Sequence, residues 1–391
     1  MHLVESFALD SGLKIDKPFI YESFYPLPFD DKYITIQPYG KYPCRHYDYW
    51  QETIDILIPH LKNTKIIQLG TKDEVSLNGA LDLRAQTSLN QMAYLIKRSA
   101  LHLGIDSLGI HYASGFQRKI VGLYCNMLPS QSGPYWSDQK DCIILEPPRK
   151  KNELPSYFAV EKPKTINKIK PEDIAKAVCK LLNIPFEFQY KSLFVGEKYH
   201  LKKIELVPQN SLGNWKELGI DSIIVRMDKH FNERVLNRQL QLCPCSIVTD
   251  RAIDSGILKM FKDKIPEFVY LLKKDSDPND VLKARACGVP VFLISFLPEE
   301  ELNKIKLKFA DCGDIIREQQ PNKKAEEAIK KKNIFYKNST LTVADDKLWS
   351  CWGKKAKHEI NQVNNYPLQP FVDDEELTGH LEDLILYEKK G

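Results

Sequence analysis

The sequence predicts an α/β protein with two domains, each a parallel β-sheet covered by helices in the Rossmann-like manner. Length supports this, since 391 residues make room for two or three domains of ordinary size. Composition supports it too, because 43% apolar and 28% charged residues are typical of globular chains. Short apolar runs also alternate along the chain with amphipathic helical patterns, as they do in parallel sheets.

Residues 1–150 carry the first series of strands and helices, after an irregular aromatic stretch over residues 1–30. Apolar positions three and four residues apart predict the helices, and short apolar runs predict the strands. Thr87 or Ser88 is expected to cap one helix, because a hydroxyl there accepts from free backbone amides. Strands are predicted at 33–37, 64–70, 101–105 and 119–125, and helices at 47–61, 87–101 and from Ser107.

The remaining chain is predicted to hold a connection, a second domain and a tail. Residues 151–190 are a Pro- and charge-rich connection followed by a helix over 170–184, with Pro171 in its first turn. Residues 321–391 are expected to form a charged helical tail. The second domain spans 191–320, with strands predicted at 203–207, 222–227, 246–250, 268–272 and 291–296.

Charge and cysteine content narrow the functional classes. Residues 1–150 hold 16 basic and 16 acidic residues, so the net charge of +4 lies wholly in residues 151–391. So small an excess does not by itself predict nucleic-acid binding. No apolar run reaches the roughly 18–20 residues of a membrane span, and no secretory signal is expected at the N-terminus. Nine scattered cysteines predict reduced thiols, a cytoplasmic location and no metal site.

The loops that follow the strands are the places to look for chemistry, because open parallel sheets bind ligands beyond the carboxyl ends of their strands. The loop after strand 101–105 is the most informative, with Asp106, Ser107, Gly109 and His111 where a helix begins. Free amides at a helix N-terminus attract anions, and a glycine lets a phosphate approach the backbone. The structural alternative is an Asp or Ser cap followed by a packed histidine.

The order of these elements resembles the nucleotide-sugar-binding half of the ADP-heptose:lipopolysaccharide heptosyltransferases. The similarity covers about residues 31–135: QPYG followed by a basic residue and an aromatic, a strand ending IIQLG, a helix opening with T-S-L, the D-S-x-G-x-H run, and a last strand that leads to G-P. The resemblance implies a GT-B-like fold and an inverting glycosyltransferase that needs no metal or other cofactor. It implies a nucleotide-diphosphate sugar as co-substrate, with an acceptor glycan or other polymer unidentified.

The resemblance also assigns residues that would contact the nucleotide and its diphosphate. Those that match the family motifs are Gln37, Gly40, Arg45, Gly70, Thr71, Asp106, Ser107, Leu108, Gly109 and His111. Two positions depart from the family: Gln37 stands where a histidine is usual, and Leu108 stands where a glycine is usual. Either change would alter the choice of donor or weaken the phosphate contact.

The order of the halves departs from the family as well, because the acceptor domain normally precedes the donor domain. Here the donor-type half comes first. Three alternatives follow: the second domain serves the acceptor, a separate partner chain supplies an acceptor domain, or the protein is a non-catalytic binding or assembly module. A transferase that modifies nucleic acid is a further alternative, with the basic excess of the second domain facing the polymer.

If the second domain serves the acceptor, its general base should follow a strand. Asp228 is the first candidate and Asp250 the second, with His230 also near a strand end; each has a helix cap or turn as its structural alternative. Asp275 and Asp277 form a D-x-D that could hold a divalent metal against a diphosphate. They are predicted instead to form a turn that caps the helix at Pro278.

Overall fold

A computed structural model of the chain describes residues 1–213, 219–317, 322–351, 357–360, 368–372 and 375–391. The chain divides into two compact units, Met1–Gln189 and Tyr190–Gly391. No helix among the described residues is long and apolar enough to cross a membrane. The predicted α/β class is confirmed, since both units are built on parallel sheets.

The first unit is described throughout and holds one six-stranded parallel sheet with helices between its strands. Its strands are β1 (Tyr33–Gln37), β2 (Lys65–Gln68), β3 (Leu81–Asp82), β4 (His102–Ile105), β5 (Ile120–Leu123) and β6 (Cys142–Leu145). Its helices are α1 (Leu3–Ser11), α2 (Trp50–Leu61), α3 (Leu89–Arg98), α4 (Leu108–Gly115), α5 (Pro129–Ser132) and α6 (Pro171–Leu182).

Local sequence explains why these elements form. All four residues of β4 and of β5 are buried, as expected for strands covered by helices on both faces. Ser88 caps α3 by accepting from the amide of Gln91, whose side chain accepts in return from the amide of Ser88. Pro171 occupies the first turn of α6, where its missing amide costs nothing.

Strand order fixes where this unit can bind a ligand. The order is β3-β2-β1-β4-β5-β6, so the chain moves outward from β1 in one direction and then returns to its other side. The loops after β1 and β4 therefore leave the sheet on opposite faces and open a crevice between them. This switch point lies directly beside Arg45, which follows β1, and Asp106, which follows β4.

In its described residues the second unit contains an eight-stranded and a four-stranded sheet. Its strands are β7 (Tyr190–Val195), β8 (Lys203–Leu206), β9 (Ser222–Arg226), β10 (Ser246–Thr249), β11 (Phe268–Leu272), β12 (Val291–Ser295), β13 (Ile315–Arg317), β14 (Ile334–Asn338), β15 (Thr340–Ala344), β16 (Lys347–Trp349), β17 (Gln369–Pro370) and β18 (Leu384–Lys389). Its helices are α7 (Glu233–Leu242), α8 (Ser255–Phe261), α9 (Pro278–Ala286), α10 (Glu299–Lys306), α11 (Lys323–Ile329) and α12 (Glu375–Thr378).

The larger sheet has the order β13-β12-β11-β10-β9-β8-β15-β16, with β8 to β13 parallel and β15 parallel to β8. One face carries a continuous apolar core that includes Val225, Phe268 and Leu293. The other face carries buried charge: the Arg226 guanidinium pairs with Glu205 at 2.9 Å and with both oxygens of Asp228 at 2.8 Å. The smaller sheet, β17-β14-β18-β7, is built from antiparallel pairs.

Three expectations from the sequence differ from this architecture. Residues 1–30 are not wholly irregular, because α1 forms with His2 as its cap. The segment 151–190 is part of the first compact unit rather than a connection between units, since its helix α6 packs against α2. The prediction of a helical tail over 321–391 is wrong. The described part of this segment contains five strands, β14 to β18, and two short helices: α11 from the Lys-rich run and the four-residue α12. Of the strands there, β14 buries alternate residues, whereas β15 and β18 each bury four residues. The charged residues between these strands hide that pattern in the sequence.

The buried charge in the second unit leads to a stability prediction. Replacing Arg226 with alanine leaves Glu205 and Asp228 side chains, only 5% and 8% exposed, without their cation. Loss of one partner from a buried pair costs about 3–5 kcal/mol. We expect Arg226→Ala to lower the free energy of unfolding by at least ~3 kcal/mol, measured by urea unfolding followed by circular dichroism. Lys347→Ala removes the half-exposed Lys347–Glu359 pair and should cost less than ~1 kcal/mol; equal losses for the two variants would contradict the prediction.

Candidate functional site

A cavity of about 470 Å³ opens at the switch point of the first unit. Its walls come from α1, from the loops after β1, β4 and β5, and from the segment after β6. Its polar lining residues are His2, Tyr42, Arg45, Asp106, His111, Asn126, Ser132 and Tyr157. The volume falls in the range of small-molecule pockets, roughly 300–1,000 Å³.

Arg45 is the central cation of this cavity. It lies in the 3-10 turn Pro43–Arg45 after β1 and is largely buried, with 15% of its side chain exposed. Its Nη2 pairs with Asp106 at 2.9 Å, its Nη1 donates to the Asp106 carbonyl at 2.6 Å, and its Nε donates to Asn126 at 2.9 Å. The rigid fork of the guanidinium therefore ties the loop after β1 to the ends of β4 and β5.

Asp106 collects three polar partners at the end of β4. Besides Arg45, the Ser132 hydroxyl donates to Oδ2 at 3.2 Å, and Nε2 of His111 lies 3.8 Å from Oδ1. The Asp106 side chain is 6% exposed, whereas the His111 side chain is 39% exposed. The predicted trio of Arg45, Asp106 and His111 is thus brought together on one cavity wall.

The beginning of α4 is packed tightly against the sheet. The side chain of Gln37 accepts from the amide of Gly109 at 2.9 Å, so Gln37 caps the helix from the end of β1. A Cβ on Gly109 would lie 2.5 Å from Nε2 of His102 and 2.6 Å from Oε1 of Gln37, so only glycine fits here. This close approach explains why a glycine stands at position 109, and Gln37 provides the partner for its amide.

Three further predicted residues surround the same helix start. Ser107 is the N-cap residue of α4 in extended conformation and makes no side-chain capping bond. A Cβ on Gly40 would lie 3.4 Å from the Ser107 hydroxyl, which places the β1 loop directly over the helix. Leu108 is the first residue of α4 and is 36% exposed.

Gly70 and Thr71 lie apart from the cavity lining, at the end of β2. The Thr71 hydroxyl donates to Glu74 at 3.2 Å, and the Glu74 side chain folds beneath Gly70. Burial raises the pKa of Glu74, although the Thr71 hydrogen bonds oppose the shift. Within the described residues, the second Glu74 oxygen has no hydrogen-bond partner. The predicted nucleoside contact of Gly70 and Thr71 therefore stays a prediction, with Glu74 beside them.

Sequence reasoning missed several residues of the cavity. Asn126 joins Arg45 to the segment after β6 by accepting from the Arg45 Nε and donating to the Phe158 carbonyl. His2 brings α1 to the cavity, with its Nε2 3.0 Å from the Gly133 carbonyl oxygen. Tyr157 comes from a segment predicted to be only a surface connection. No motif marks these residues, because each contact joins segments about 30 to 130 positions apart.

The predicted bases lie in the second unit. Asp228 follows β9 and is held by Arg226; His230, two residues on, is exposed. Asp250 follows β10, is 5% exposed, and pairs with Arg251 and Lys273. Burial alone would raise the pKa of Asp250, but hydrogen bonds from Lys273 and Arg251 hold it below its ordinary value. Whether any of the three acts as a base stays a prediction.

The D-x-D motif forms the predicted turn. Asp277 caps α9 by accepting from the amide of Asn279, and Pro278 occupies the first position of the helix. Across the described ranges, no group of three or more His, Cys, Asp or Glu side chains is arranged to hold a metal ion.

Comparisons with known proteins support the resemblance. The family described as Glycosyltransferase family 9 (heptosyltransferase) matches residues 6–157, a range that contains the predicted 31–135. The comparison with curated proteins finds no match. The resemblance predicted from the motifs is therefore confirmed for the first unit.

Solved structures of that family share about half of their length with this chain. A family 9 glycosyltransferase from Veillonella parvula is 17% identical, with 46% of this chain and 50% of that chain covered and a TM-score of 0.34. The Escherichia coli ADP-heptose LPS heptosyltransferase II is 16% identical, with 46% and 51% covered and a TM-score of 0.32. The E. coli heptosyltransferase WaaC with ADP is 14% identical, with 44% and 53% covered and a TM-score of 0.30.

His102, buried behind α4, makes stability depend on pH. Burial lowers its pKa to about 3, against roughly 6.5 in an unfolded chain. Between these values the unfolded state binds one more proton, so stability falls as pH drops from about 6.5 towards 3, by up to about 1.4 kcal/mol per pH unit. His102→Asn retains a partner for the Thr35 hydroxyl, 2.9 Å from Nδ1, and should show a shallower fall in urea unfolding between pH 7 and 5. If His102→Asn shows the same dependence of unfolding free energy on pH as the wild type, His102 is not the source of that dependence.

Gly109 provides a second test. Gly109→Ala pushes a Cβ against His102 and Gln37, and overpacking of this kind costs about 1–3 kcal/mol. We expect a lower melting temperature in thermal unfolding. Gly213→Ala is the control, because its Cβ would meet no atom of the described residues within 4 Å. Comparable melting temperatures for both variants would show that α4 can shift away from the sheet at no cost.

Proposed function

We propose that this protein is a glycosyltransferase whose first unit binds a nucleotide-diphosphate sugar. The observation that carries the proposal is the cavity at the β1/β4 switch point, which is lined by Arg45, by Asp106 just before α4, and by His111 in the first turn of α4. A cation and the N-terminus of a helix are the groups that stabilise a diphosphate. The family match over residues 6–157 supports the same reaction class.

The proposed reaction is an inverting transfer. A base removes the proton from an acceptor hydroxyl while that oxygen forms a bond to the anomeric carbon. The bond from the anomeric carbon to the diphosphate oxygen breaks, and the nucleoside diphosphate leaves with the bonding electrons. Arg45, the amides at the start of α4 and the His111 imidazole N–H are the groups proposed to stabilise the leaving charge, so that no metal is required.

The base is proposed to come from the second unit. Asp228 and Asp250 follow neighbouring parallel strands, β9 and β10, at the same edge of the larger sheet. Cations pair with both carboxylates. Hydrogen bonds from Lys273 and Arg251 hold the pKa of Asp250 below its ordinary value, which keeps that carboxylate ionised but weakens it as a base. His230 is the exposed alternative. We propose Asp228 first and Asp250 second.

A second candidate function is a non-catalytic binding or assembly module. This alternative is favoured because all three guanidinium nitrogens of Arg45 already contact Asp106 or Asn126. Likewise Gln37 already occupies the Gly109 amide, one of the donors that a phosphate would use. A diphosphate would then have to compete with these internal partners, and binding without turnover would suffice for a module of this kind.

The cellular setting and the acceptor also belong to this proposal. None of the nine cysteines forms a disulfide, and eight of them are buried. Thiols in this state fit a reducing compartment, so we propose a cytoplasmic location. The acceptor is proposed to be a glycan, bound by the second unit or by a partner chain.

Arg45 gives the sharpest test. Arg45→Ala removes the cavity's central cation and leaves the Asp106 charge without it, so affinity for ADP, UDP or GDP should fall at least tenfold in calorimetric titration. Lys41→Ala is the control, since Lys41 is an exposed cation of the same loop that does not line the cavity. Circular dichroism checks that both variants fold.

Two outcomes separate the candidate functions. A wild type that binds no nucleoside diphosphate excludes both the transferase and a nucleotide-binding module. A wild type that binds one, but releases no nucleoside diphosphate from its sugar conjugate over a panel of glycan acceptors, favours the module.

A further inference from the structure

We propose that the 470 Å³ cavity holds the sugar of the donor as well as the diphosphate that Arg45 binds, and that Tyr157 is the aromatic platform that selects this sugar. The inference rests on the proposed function. The ligand class of the cavity is then a sugar, and Tyr157 is its specificity-determining residue. The cavity's charge balance, its aromatic lining and the backbone of Tyr157 carry the argument.

Apart from Arg45, the residues that line the cavity include no lysine and no other arginine, so most of its surface suits an uncharged group. The charge of Arg45 is matched by that of Asp106, which accepts its Nη2 at 2.9 Å inside the same wall. The other polar lining groups are hydroxyl, amide and imidazole, supplied by Ser132, Asn126 and His111. A neutral ring bearing several hydroxyls suits such a set, because each hydroxyl both donates and accepts.

Aromatic rings supply part of the apolar lining of the cavity. Tyr42 and Tyr157 both line the cavity, and the Arg45 guanidinium carbon lies 5.1 Å from the centre of the Tyr42 ring. The Tyr157 side chain is half exposed, with Leu3, Val4 and Phe7 of α1 lining the same space. The C–H face of a sugar ring is apolar although its edge is polar, so it packs on a flat aromatic side chain.

The backbone of Tyr157 is held in an unfavourable conformation. Its φ is +57°, in the left-handed region that bulky side chains avoid at a cost of order 1–3 kcal/mol. Among the described residues it is the one aromatic side chain with positive φ. A glycine would occupy this position without strain. The strain of Tyr157 at the cavity wall is therefore attributed to a role of its ring, which a glycine would lack.

Hydrogen bonds from the charged wall hold the strained segment in place. The Tyr157 amide donates to the Asn126 carbonyl at 3.1 Å, and the Asn126 side chain donates to the Phe158 carbonyl at 3.0 Å. The Cys44 amide donates to the Ala159 carbonyl at 3.1 Å. Since Asn126 also accepts from Arg45, the Tyr157 segment and the Arg45 loop are fixed to one another. The ring is thereby placed relative to the cation.

The test compares affinity for a nucleoside diphosphate with affinity for its sugar conjugate. Calorimetry is run with three pairs: ADP and ADP-heptose, UDP and UDP-glucose, and GDP and GDP-mannose. For the pair that binds the wild type, the sugar should add affinity. Tyr157→Ala and Tyr157→Gly should lose about tenfold of the sugar conjugate's affinity and keep that of the nucleoside diphosphate within twofold, whereas Tyr157→Phe should keep both.

Stability gives an independent readout. Because glycine tolerates φ +57° and alanine does not, Tyr157→Gly should melt at a higher temperature than Tyr157→Ala, although both lose the sugar. Phe158→Ala is the matched control for binding, since the adjacent Phe158 side chain is 69% exposed and is not part of the lining. It should leave both affinities unchanged.

The outcomes are distinct. A wild type that binds no nucleoside diphosphate overturns the proposed function and this inference with it. A wild type that binds one without gaining affinity from any sugar, or Tyr157 variants that lose both ligands equally or neither, overturns this inference alone. Equal melting temperatures for Tyr157→Gly and Tyr157→Ala also overturn it, because the strain would then be absent.

Discussion

The ion pair between Arg45 and Asp106 is the interaction on which the first unit's cavity depends. It joins the two loops that diverge at the switch point, one after β1 and one after β4. Asn126 extends it to β5 and to the segment after β6. Without this link, three strand ends and the Tyr157 segment would have no common anchor. With it, they form one wall whose geometry is set before any ligand arrives.

The pairing of Arg45 with Asp106 also affects how strongly the cavity attracts an anion. A guanidinium that organises a wall by pairing with Asp106 offers less free charge to an anion than an unpaired one does. The start of α4 shows the same compromise, because Gln37 caps the Gly109 amide. Both features favour a ligand that is only partly anionic, such as a sugar attached to a diphosphate. They also explain why a pure binding module is a coherent alternative to catalysis.

Secondary structure with strong local signals could be predicted from the sequence. The strand Tyr33–Gln37, the Ser88 cap and the helix opened by Pro171 are all confirmed. Prediction failed where structure depends on distant partners. The strands β14, β15 and β18 look like parts of a charged tail, yet β15 pairs with β8, about 137 positions earlier, and so completes the second unit's larger sheet. The short strand β3 and the helix α1 were not predicted for a related reason, since neither buries a continuous apolar stripe.

By itself the sequence determined the α/β class, the order of most of the first unit's strands and helices, and the motif that brings Arg45, Asp106 and His111 to neighbouring strand ends. These follow from periodicity, capping and the family pattern, all of which are local along the chain. Only the tertiary structure decided that Arg45 is already paired and that Gly109 must be glycine. It also decided that Asn126 and Tyr157 belong to the cavity. The physical reason is that pairing, close approach and strain depend on distances between segments far apart in sequence.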